Sequence, residues 1–141
     1  MGARVLGLDI GERRIGVALS DGLRLTAQRL KVLERSGHAA DLDALAALVQ
    51  AHDVGVVVVG LPLTLRGERG PQAQRVQAFA SALRQRLGGL PVELADERLK
   101  TVAGERALLA TDTSRRKRKG LIDQVAAQLI LQQYLDTHRA A

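Results

Sequence analysis

The sequence predicts an α/β domain built on a mixed five-stranded sheet with helices on both faces. Three observations lead to this class. Apolar residues alternate with period two over the first 33 positions, the valine run 56–59 is apolar on both faces, and helical periodicity separates the later strands. Strands that alternate with helices favour parallel pairing, whereas strands joined by short turns favour an antiparallel meander. At 141 residues, one domain (residues 1–141) is expected.

The first three strands are predicted at Arg4–Ile10, Arg14–Ser20 and residues 23–33. Short turns that each contain a glycine, at residues 11–12 and 21–22, would join them. The three strands should therefore form an antiparallel meander in which the second strand runs against the first.

Helices are expected to alternate with the remaining strands. Apolar residues at helical spacing predict a first helix at His38–Ala51, and the valine run predicts a central strand at residues 54–60. Pro71 is a favourable first residue for a second helix, which Gly88 and Gly89 would end.

The last third of the chain is predicted to hold a fifth strand at residues 91–95 and two helices at 99–110 and 121–136. A basic loop at residues 113–120 would separate these helices, and residues 137–141 would form a polar tail.

Net charge is +6, and most of it lies in one place. Five of the excess positive charges are consecutive residues: Arg115, Arg116, Lys117, Arg118 and Lys119. Such a run attracts phosphate backbones without reading sequence. A solvated surface loop is the alternative reading of the same run.

Composition excludes several classes of site. Without cysteine the chain has no disulfides, thiolate metal sites or cysteine nucleophiles, which agrees with a reducing, cytoplasmic location.

The apolar runs are too short to span a bilayer, and no signal peptide is expected at the start. The three histidines lack zinc-ligand spacing. Phe79 and Tyr134, the only aromatic residues, occupy apolar helix positions, so base stacking is not expected.

Carboxylates are predicted to converge at one edge of the sheet. Asp9 interrupts an apolar strand, and a buried carboxylate needs a partner or a metal ion. Asp96 and Glu97 follow the fifth strand, and Asp123 shares a helix face with apolar residues. Such acids favour Mg²⁺ or Mn²⁺, which prefer oxygen ligands. Taken separately, Asp96 and Glu97 could instead cap the following helix or pair with Arg98, and Asp123 could complement a helix dipole.

Four segments together resemble the YqgF/RuvX family of the RNase H-like superfamily, over nearly the whole chain. They are G-L-D-I-G-E-R-R-I-G-V-A-L-S-D at 7–21, V-V-G-L-P-L-T-L-R-G-E-R-G at 58–70, A-D-E-R-L at 95–99 and R-R-K-R-K-G-L-I-D-Q-V-A-A at 115–127. The first two segments are the most specific. The resemblance implies an RNase H-like fold whose second strand is antiparallel.

By this resemblance, Asp9, Glu97 and Asp123 form the catalytic and metal-binding triad, and Asp96 is a candidate supporting ligand. The implied chemistry is hydrolysis of a phosphodiester with one or two Mg²⁺ or Mn²⁺ ions, one activating the attacking water and the other stabilising the leaving oxygen.

The nucleic-acid contacts implied by the resemblance are basic and would position the phosphate backbone. Two positions depart from the family pattern, Lys100 and the Leu65-Arg66 pair, and both introduce a cation that could add phosphate affinity. The full set of expected contacts is Arg13, Arg14, Arg66, Arg98, Lys100, Arg115, Arg116, Lys117, Arg118 and Lys119.

Two substrates are associated with the family: the 5′ end of precursor 16S rRNA, which we place first, and the Holliday junction. Junction resolution implies two symmetric cuts and hence a homodimer. A non-catalytic nucleic-acid-binding module is the main alternative of another class. An actin-like or sugar-kinase-like nucleotide binder shares the Asp-x-Gly turn but needs a second domain for which 141 residues leave no room, so no nucleotide cofactor is expected.

Overall fold

The structure, a computed structural model, describes residues 2–63, 66–96 and 115–138. Within these ranges it has five strands and three helices. The strands are β1 (Arg4–Ile10), β2 (Arg14–Ser20), β3 (Ala27–Glu34), β4 (Val54–Leu61) and β5 (Val92–Asp96), and the helices are α1 (His38–Ala51), α2 (Pro71–Arg86) and α3 (Arg115–Thr137).

The strands form one mixed sheet in the order β3-β2-β1-β4-β5. β2 is antiparallel to both β1 and β3, whereas β1 pairs with β4, and β4 with β5, in parallel. The predicted five-stranded mixed sheet with its antiparallel second strand is therefore confirmed.

Helices cover both faces of the sheet, and the pleat of β1 divides its residues between them. Leu6 and Leu8 point into the larger core, which includes apolar residues of α1 and α2. Val5 points to the other face, where it packs with Ala127 and Leu131 of α3. Side chains at every second position of a strand share a face, so Asp9, four residues after Val5, points to the same side as Val5. The side chain of Asp9 therefore faces α3.

Glycine lets α3 lie unusually close to the sheet. A Cβ atom on Gly7 would stand 2.7 Å from the Cβ of Leu131, and one on Gly16 would overlap the backbone carbonyl of Asp123. Two glutamines of α3 add hydrogen bonds to the edge strand: the amide of Gln128 donates to the carbonyl of Ala27 at 3.0 Å, and Gln132 accepts from its N–H at 2.8 Å. The helix is thus fixed on the sheet by steric fit and by polar contacts.

β3 begins at Ala27, four residues later than the sequence predicts, because a turn occupies the preceding residues. The carboxylate of Asp21 accepts hydrogen bonds from the backbone N–H groups of Leu25 and Thr26 at 2.7 and 3.0 Å. These bonds lower the pKa of Asp21 below its usual range. When a side chain accepts hydrogen bonds from backbone N–H groups a few residues later, those N–H groups are no longer available for pairing with a neighbouring strand.

The predicted basic loop at 113–120 is wrong from residue 115 onward, because α3 begins at Arg115. Arginine and lysine are good helix formers, so the run continues the helix that the apolar residues after it establish. The predicted polar tail is also helical at Thr137. The predicted helix at 99–110 lies outside the described residues.

None of the three described helices combines the length and apolar character that crossing a bilayer requires.

Replacing Gly16 with alanine should destabilise the protein, because the added methyl group must push α3 away from β2. We expect the free energy of unfolding to fall by about 1–3 kcal/mol, the usual cost of overpacking, as measured by urea denaturation. The matched control is Gly22→Ala, since a Cβ there meets nothing within 4 Å. Equal stabilities for the two variants would contradict this account of α3 packing.

Candidate active site

Asp9 lies near the carboxyl end of β1, on the face covered by α3. Its register partner in β2 is Gly16, and the side chains of paired residues point to the same face. Asp9 is half-buried. The strand thus presents a carboxylate beside a position that carries no side chain.

Asp123 reaches the same place from the last helix. Its backbone lies directly over Gly16, closer than any side chain at that position would permit. Because Gly16 pairs with Asp9, the register of the sheet and the packing of α3 bring Asp9 and Asp123 to adjacent positions on one face. Two of the three acidic residues predicted from sequence therefore lie at neighbouring backbone positions, although 114 residues separate them in the chain.

The third predicted carboxylate, Glu97, lies outside the described residues, so its role stays a prediction. Asp96, the last residue of β5, is paired with Leu61, which belongs to the core beneath α1 and α2. By the alternation of the pleat, Ala95 rather than Asp96 shares the α3 face with Asp9. The role of Asp96 as a supporting ligand also stays a prediction.

The described part of the site offers oxygen donors. Carboxylates are the ligands that Mg²⁺ and Mn²⁺ prefer, so Asp9 and Asp123 fit a hard divalent cation in kind. Across residues 2–63, 66–96 and 115–138, no three His, Cys, Asp or Glu side chains form a group that could hold a metal ion.

An ion pair stands next to these carboxylates. The Nε of Arg14 donates to Glu34 at 2.9 Å, with the Arg14 side chain 28% and Glu34 73% exposed. The hydrogen bond and charge of Glu34 raise the pKa of Arg14, and the negative charge of Asp123 contributes in the same direction. The sequence pattern identified Arg14 but not Glu34, because only the pairing of β2 with β3 brings the two together.

The other basic residues predicted to bind nucleic acid are distributed as follows. Arg13 and Arg66 are exposed, in the turn after β1 and in the segment before α2. Arg98 and Lys100 lie outside the described residues. The run from Arg115 to Lys119 forms the first turns of α3, eight to four residues before Asp123.

The turn that follows Asp9 is fixed from the opposite face of the sheet. The guanidinium of Arg35 donates to the carbonyl of Gly11 at 2.9 Å and to the carboxylate of Asp41 at 3.0 Å. Asp41 is only 4% exposed and also accepts from the N–H of Ser36. Arg35 stacks over the ring of Phe79, with 5.2 Å from its central carbon to the ring centroid. This network was not anticipated from sequence, since its partners are polar residues of a loop and a helix start.

Beside this network is a cleft of about 500 Å³, lined mainly by the turn after β1 and by α2. It lies on the face away from Asp123. Its lining includes three charged side chains, those of Glu12, Arg35 and Arg75, and Glu12 and Arg75 approach to 3.9 Å. The cleft is therefore distinct from the carboxylate face.

Residues 3–137 match the model of a protein family described as "RuvX: Holliday junction resolvase". A relative from Myxococcus xanthus is 54% identical over 136 residues, covering 96% of this chain and 89% of the relative. One from Moorella thermoacetica is 55% identical over 133 residues, covering 94% of each chain. Both carry the name "Putative pre-16S rRNA nuclease".

Solved structures of Holliday junction resolvases share the fold. Thermus thermophilus RuvC, in complex with a Holliday junction substrate, aligns with a TM-score of 0.62 at 17% identity, covering 97% of both chains. The fowlpox virus Holliday junction resolvase aligns with a TM-score of 0.57 at 12% identity, covering 95% of this chain and 98% of the resolvase. The RNase H-like fold expected from sequence is confirmed by these alignments.

Replacing Asp41 with asparagine should destabilise the turn that follows Asp9. The change removes the charge that holds Arg35 and weakens a largely buried network, so we expect a loss of about 1–3 kcal/mol in the free energy of unfolding. Asp43→Asn is the control, because the ion pair of Asp43 with Arg86 is exposed and should contribute less than about 1 kcal/mol. A larger loss for Asp43→Asn in chemical denaturation would contradict this assignment.

Proposed function

The chain belongs to the RuvX family, and from this premise we propose that it is a metal-dependent endonuclease that processes the 5′ end of precursor 16S rRNA. The observation that carries the proposal is the close packing of α3 on Gly16, which places Asp123 beside the strand position of Asp9. The names of the relatives supply the substrate. An rRNA substrate would place the protein in the cytoplasm.

Asp9 and Asp123 would hold the divalent cation, with Glu97 as third ligand and Asp96 in support. The oxygen donors fit Mg²⁺ and Mn²⁺. A bound cation supplies Lewis-acid stabilisation of the charge that develops when a phosphodiester is hydrolysed. The chain itself contributes rigidity, because one carboxylate sits on a central strand and the other on a helix whose backbone packs closely on Gly16.

Recognition of the substrate would rest on phosphates and shape. Arg13 is exposed in the turn after β1, and Arg66 is exposed in the segment before α2. Phe79 is buried in the core, and the hydroxyl of Tyr134 donates to Glu93, so both described aromatic side chains have other roles. Contacts to phosphates position a nucleic acid without reading its sequence.

The basic run at the start of α3 would be the main phosphate contact. Cations at a helix N-terminus oppose the helix dipole, so the five residues from Arg115 to Lys119 are unfavourable there until an anion neutralises them. Bound phosphates would stabilise these first turns. Asp123 follows Lys119 by one turn, and substrate binding would therefore also stabilise the segment that carries the second carboxylate.

Holliday junction resolution is the second candidate, favoured by the description of the family and by the shared fold of RuvC. Two symmetric cuts in a junction would need a homodimer. The two candidates therefore differ in substrate and in the assembly that each requires.

Asp9→Asn should abolish cleavage while leaving the fold intact. We expect the rate on a precursor 16S rRNA 5′ end to fall by a factor on the order of 10³, since several kcal/mol of transition-state stabilisation would be lost. The assay compares that RNA, a four-way DNA junction and linear duplexes, each with Mg²⁺, Mn²⁺ or chelator.

Asp43→Asn, an exposed carboxylate of α1 on the opposite face, is the control and should cleave at the wild-type rate. Cleavage that persists both in the presence of chelator and in the Asp9→Asn variant would contradict the metal mechanism. Cleavage of the junction alone, by a protein that is dimeric on it, would replace rRNA processing with resolution.

Neutralising the basic run should weaken binding of nucleic acid uniformly across sequences. For Arg115→Gln combined with Arg116→Gln, we expect the slope of log affinity against log salt to decrease by about 1 for each phosphate that the variant no longer neutralises. Fluorescence anisotropy over a salt series measures this slope. The control is Arg86→Gln, which removes a cation from the C-terminal end of α2 and should leave the slope unchanged. If the double variant bound normally and lost only turnover, the binding role would be wrong.

A further inference from the structure

The cleft of about 500 Å³ beside the turn after β1 lies at a position where α/β sheets bind ligands. β1 and β4 are parallel neighbours within the sheet, so their carboxyl ends share one edge. From that edge the chain continues from β1 to β2 on one side, and from β4 through α2 to β5 on the other. Ligands bind where such connections diverge, and the cleft has a size that small ligands occupy.

The rim of the cleft is polar, and its chemistry suits an anion. Its polar side chains are those of two arginines, one histidine, one glutamine and one acid: Arg35, Arg75, His38, Gln72 and Glu12. Most of the apolar lining residues are buried in the core, so a ligand would meet this rim first. A guanidinium group presents a planar set of N–H donors that matches the oxygens of a phosphate. The rim therefore favours a phosphate group.

Arg35 is the firmly held arginine of the rim. Its contacts with Asp41 and Gly11 use two of the five N–H groups of its guanidinium, which leaves donors for a ligand. The buried carboxylate of Asp41 already matches its charge. Arg35 would thus supply a fixed hydrogen-bond donor rather than net charge.

Arg75 is held less firmly. Its Nη2 lies 3.9 Å from the Oε1 of Glu12, which is too long for a hydrogen bond, and the two side chains are 67% and 82% exposed. Exposed ion pairs of this kind contribute little to stability. A phosphate that enters the cleft can therefore replace Glu12 as the partner of Arg75.

We propose that the cleft binds a phosphate group of the nucleic-acid substrate, with Arg75 and Arg35 as donors, and that Glu12 competes with this phosphate for Arg75. The proposal rests on the proposed nuclease function. Gly11, which lines the cleft, follows Asp9 by two residues, and two residues span at most about 7 Å. A strand cut beside Asp9 can therefore continue around the end of β1 into the cleft.

A second ion pair gives matched controls for this site. Arg86 and Asp43 form an exposed pair, Arg86 lies on the same helix as Arg75, and neither is among the residues that line the cleft. Each control changes the net charge by the same amount as the corresponding test variant. A general electrostatic effect would therefore be equal for Arg75→Gln and Arg86→Gln, and equal for Glu12→Gln and Asp43→Asn.

The experiment measures binding of a precursor 16S rRNA 5′ end by fluorescence anisotropy, with chelator present to prevent cleavage. We expect Arg75→Gln to weaken binding about tenfold, as the loss of a charge-assisted hydrogen bond does. Glu12→Gln should tighten binding about two- to fivefold, because the phosphate no longer displaces an exposed ion pair. The Arg75→Gln/Glu12→Gln double variant should bind as Arg75→Gln does, since Glu12 acts through Arg75.

The two control variants, Arg86→Gln and Asp43→Asn, should bind the RNA as wild type does. Thermal unfolding of every variant, followed by circular dichroism, should show the midpoint of wild type, because all four side chains are exposed. A change in affinity then reports on the cleft and not on the fold.

A free nucleotide carries the same phosphate chemistry, so wild type and Arg75→Gln are also titrated with adenosine monophosphate by isothermal titration calorimetry. We expect adenosine monophosphate to bind far more weakly than the RNA, which makes further contacts along its backbone. Arg75-dependent binding of adenosine monophosphate, together with RNA binding that Arg75→Gln leaves unchanged, would assign the cleft to a free nucleotide and overturn the substrate role.

The remaining outcomes separate the phosphate site from the proposed function. Equal RNA affinities for Arg75→Gln and Arg86→Gln, or a Glu12→Gln variant that binds no more tightly than Asp43→Asn, would overturn the phosphate site and leave Asp9-dependent cleavage standing. Arg75-dependent binding of an RNA that the wild type does not cleave with Mg²⁺ or Mn²⁺ would overturn the nuclease function and leave the phosphate site standing.

Discussion

The contact between α3 and the two glycines of the sheet is the constraint on which the rest of the structure depends. Gly7 and Gly16 have no side chain where α3 crosses β1 and β2, so the helix backbone lies almost directly on the strands. The smaller core on this face forms around the same crossing, and the backbone of Asp123 lies there over Gly16, the register partner of Asp9. Packing and site geometry are therefore set by one interaction.

The opposite face supports the same region independently. There, Arg35 connects the turn after β1 to the start of α1 through Asp41. The segment that follows Asp9 is thus held on the α1 and α2 face of the sheet, while α3 packs on the other face. The two supports differ in kind: one is an apolar fit with almost no tolerance for added volume, and the other is a polar network shielded from solvent. Together they leave the end of β1 little freedom.

Much of the fold could be predicted from sequence, because it depends on periodicity. The short turns, the valine run and the helical periodicity predicted a mixed sheet with an antiparallel second strand, and the apolar surroundings of Asp9 marked it as a candidate ligand. The pairing of Arg14 with Glu34 could not be predicted, since it depends on the register between strands that a β-bulge shifts. The start of α3 was misplaced because charge suggested a loop where helix propensity prevailed.

The distance in sequence between Asp9 and Asp123 has a consequence for how the protein becomes active. During translation the sheet strands leave the ribosome before α3 does, and until that last helix has been made and has packed onto the glycines, the face carries Asp9 without Asp123. A nascent chain therefore lacks this pair of neighbouring acidic residues until its last helix has packed. Their adjacency is a property of the finished fold and of no shorter segment of the chain.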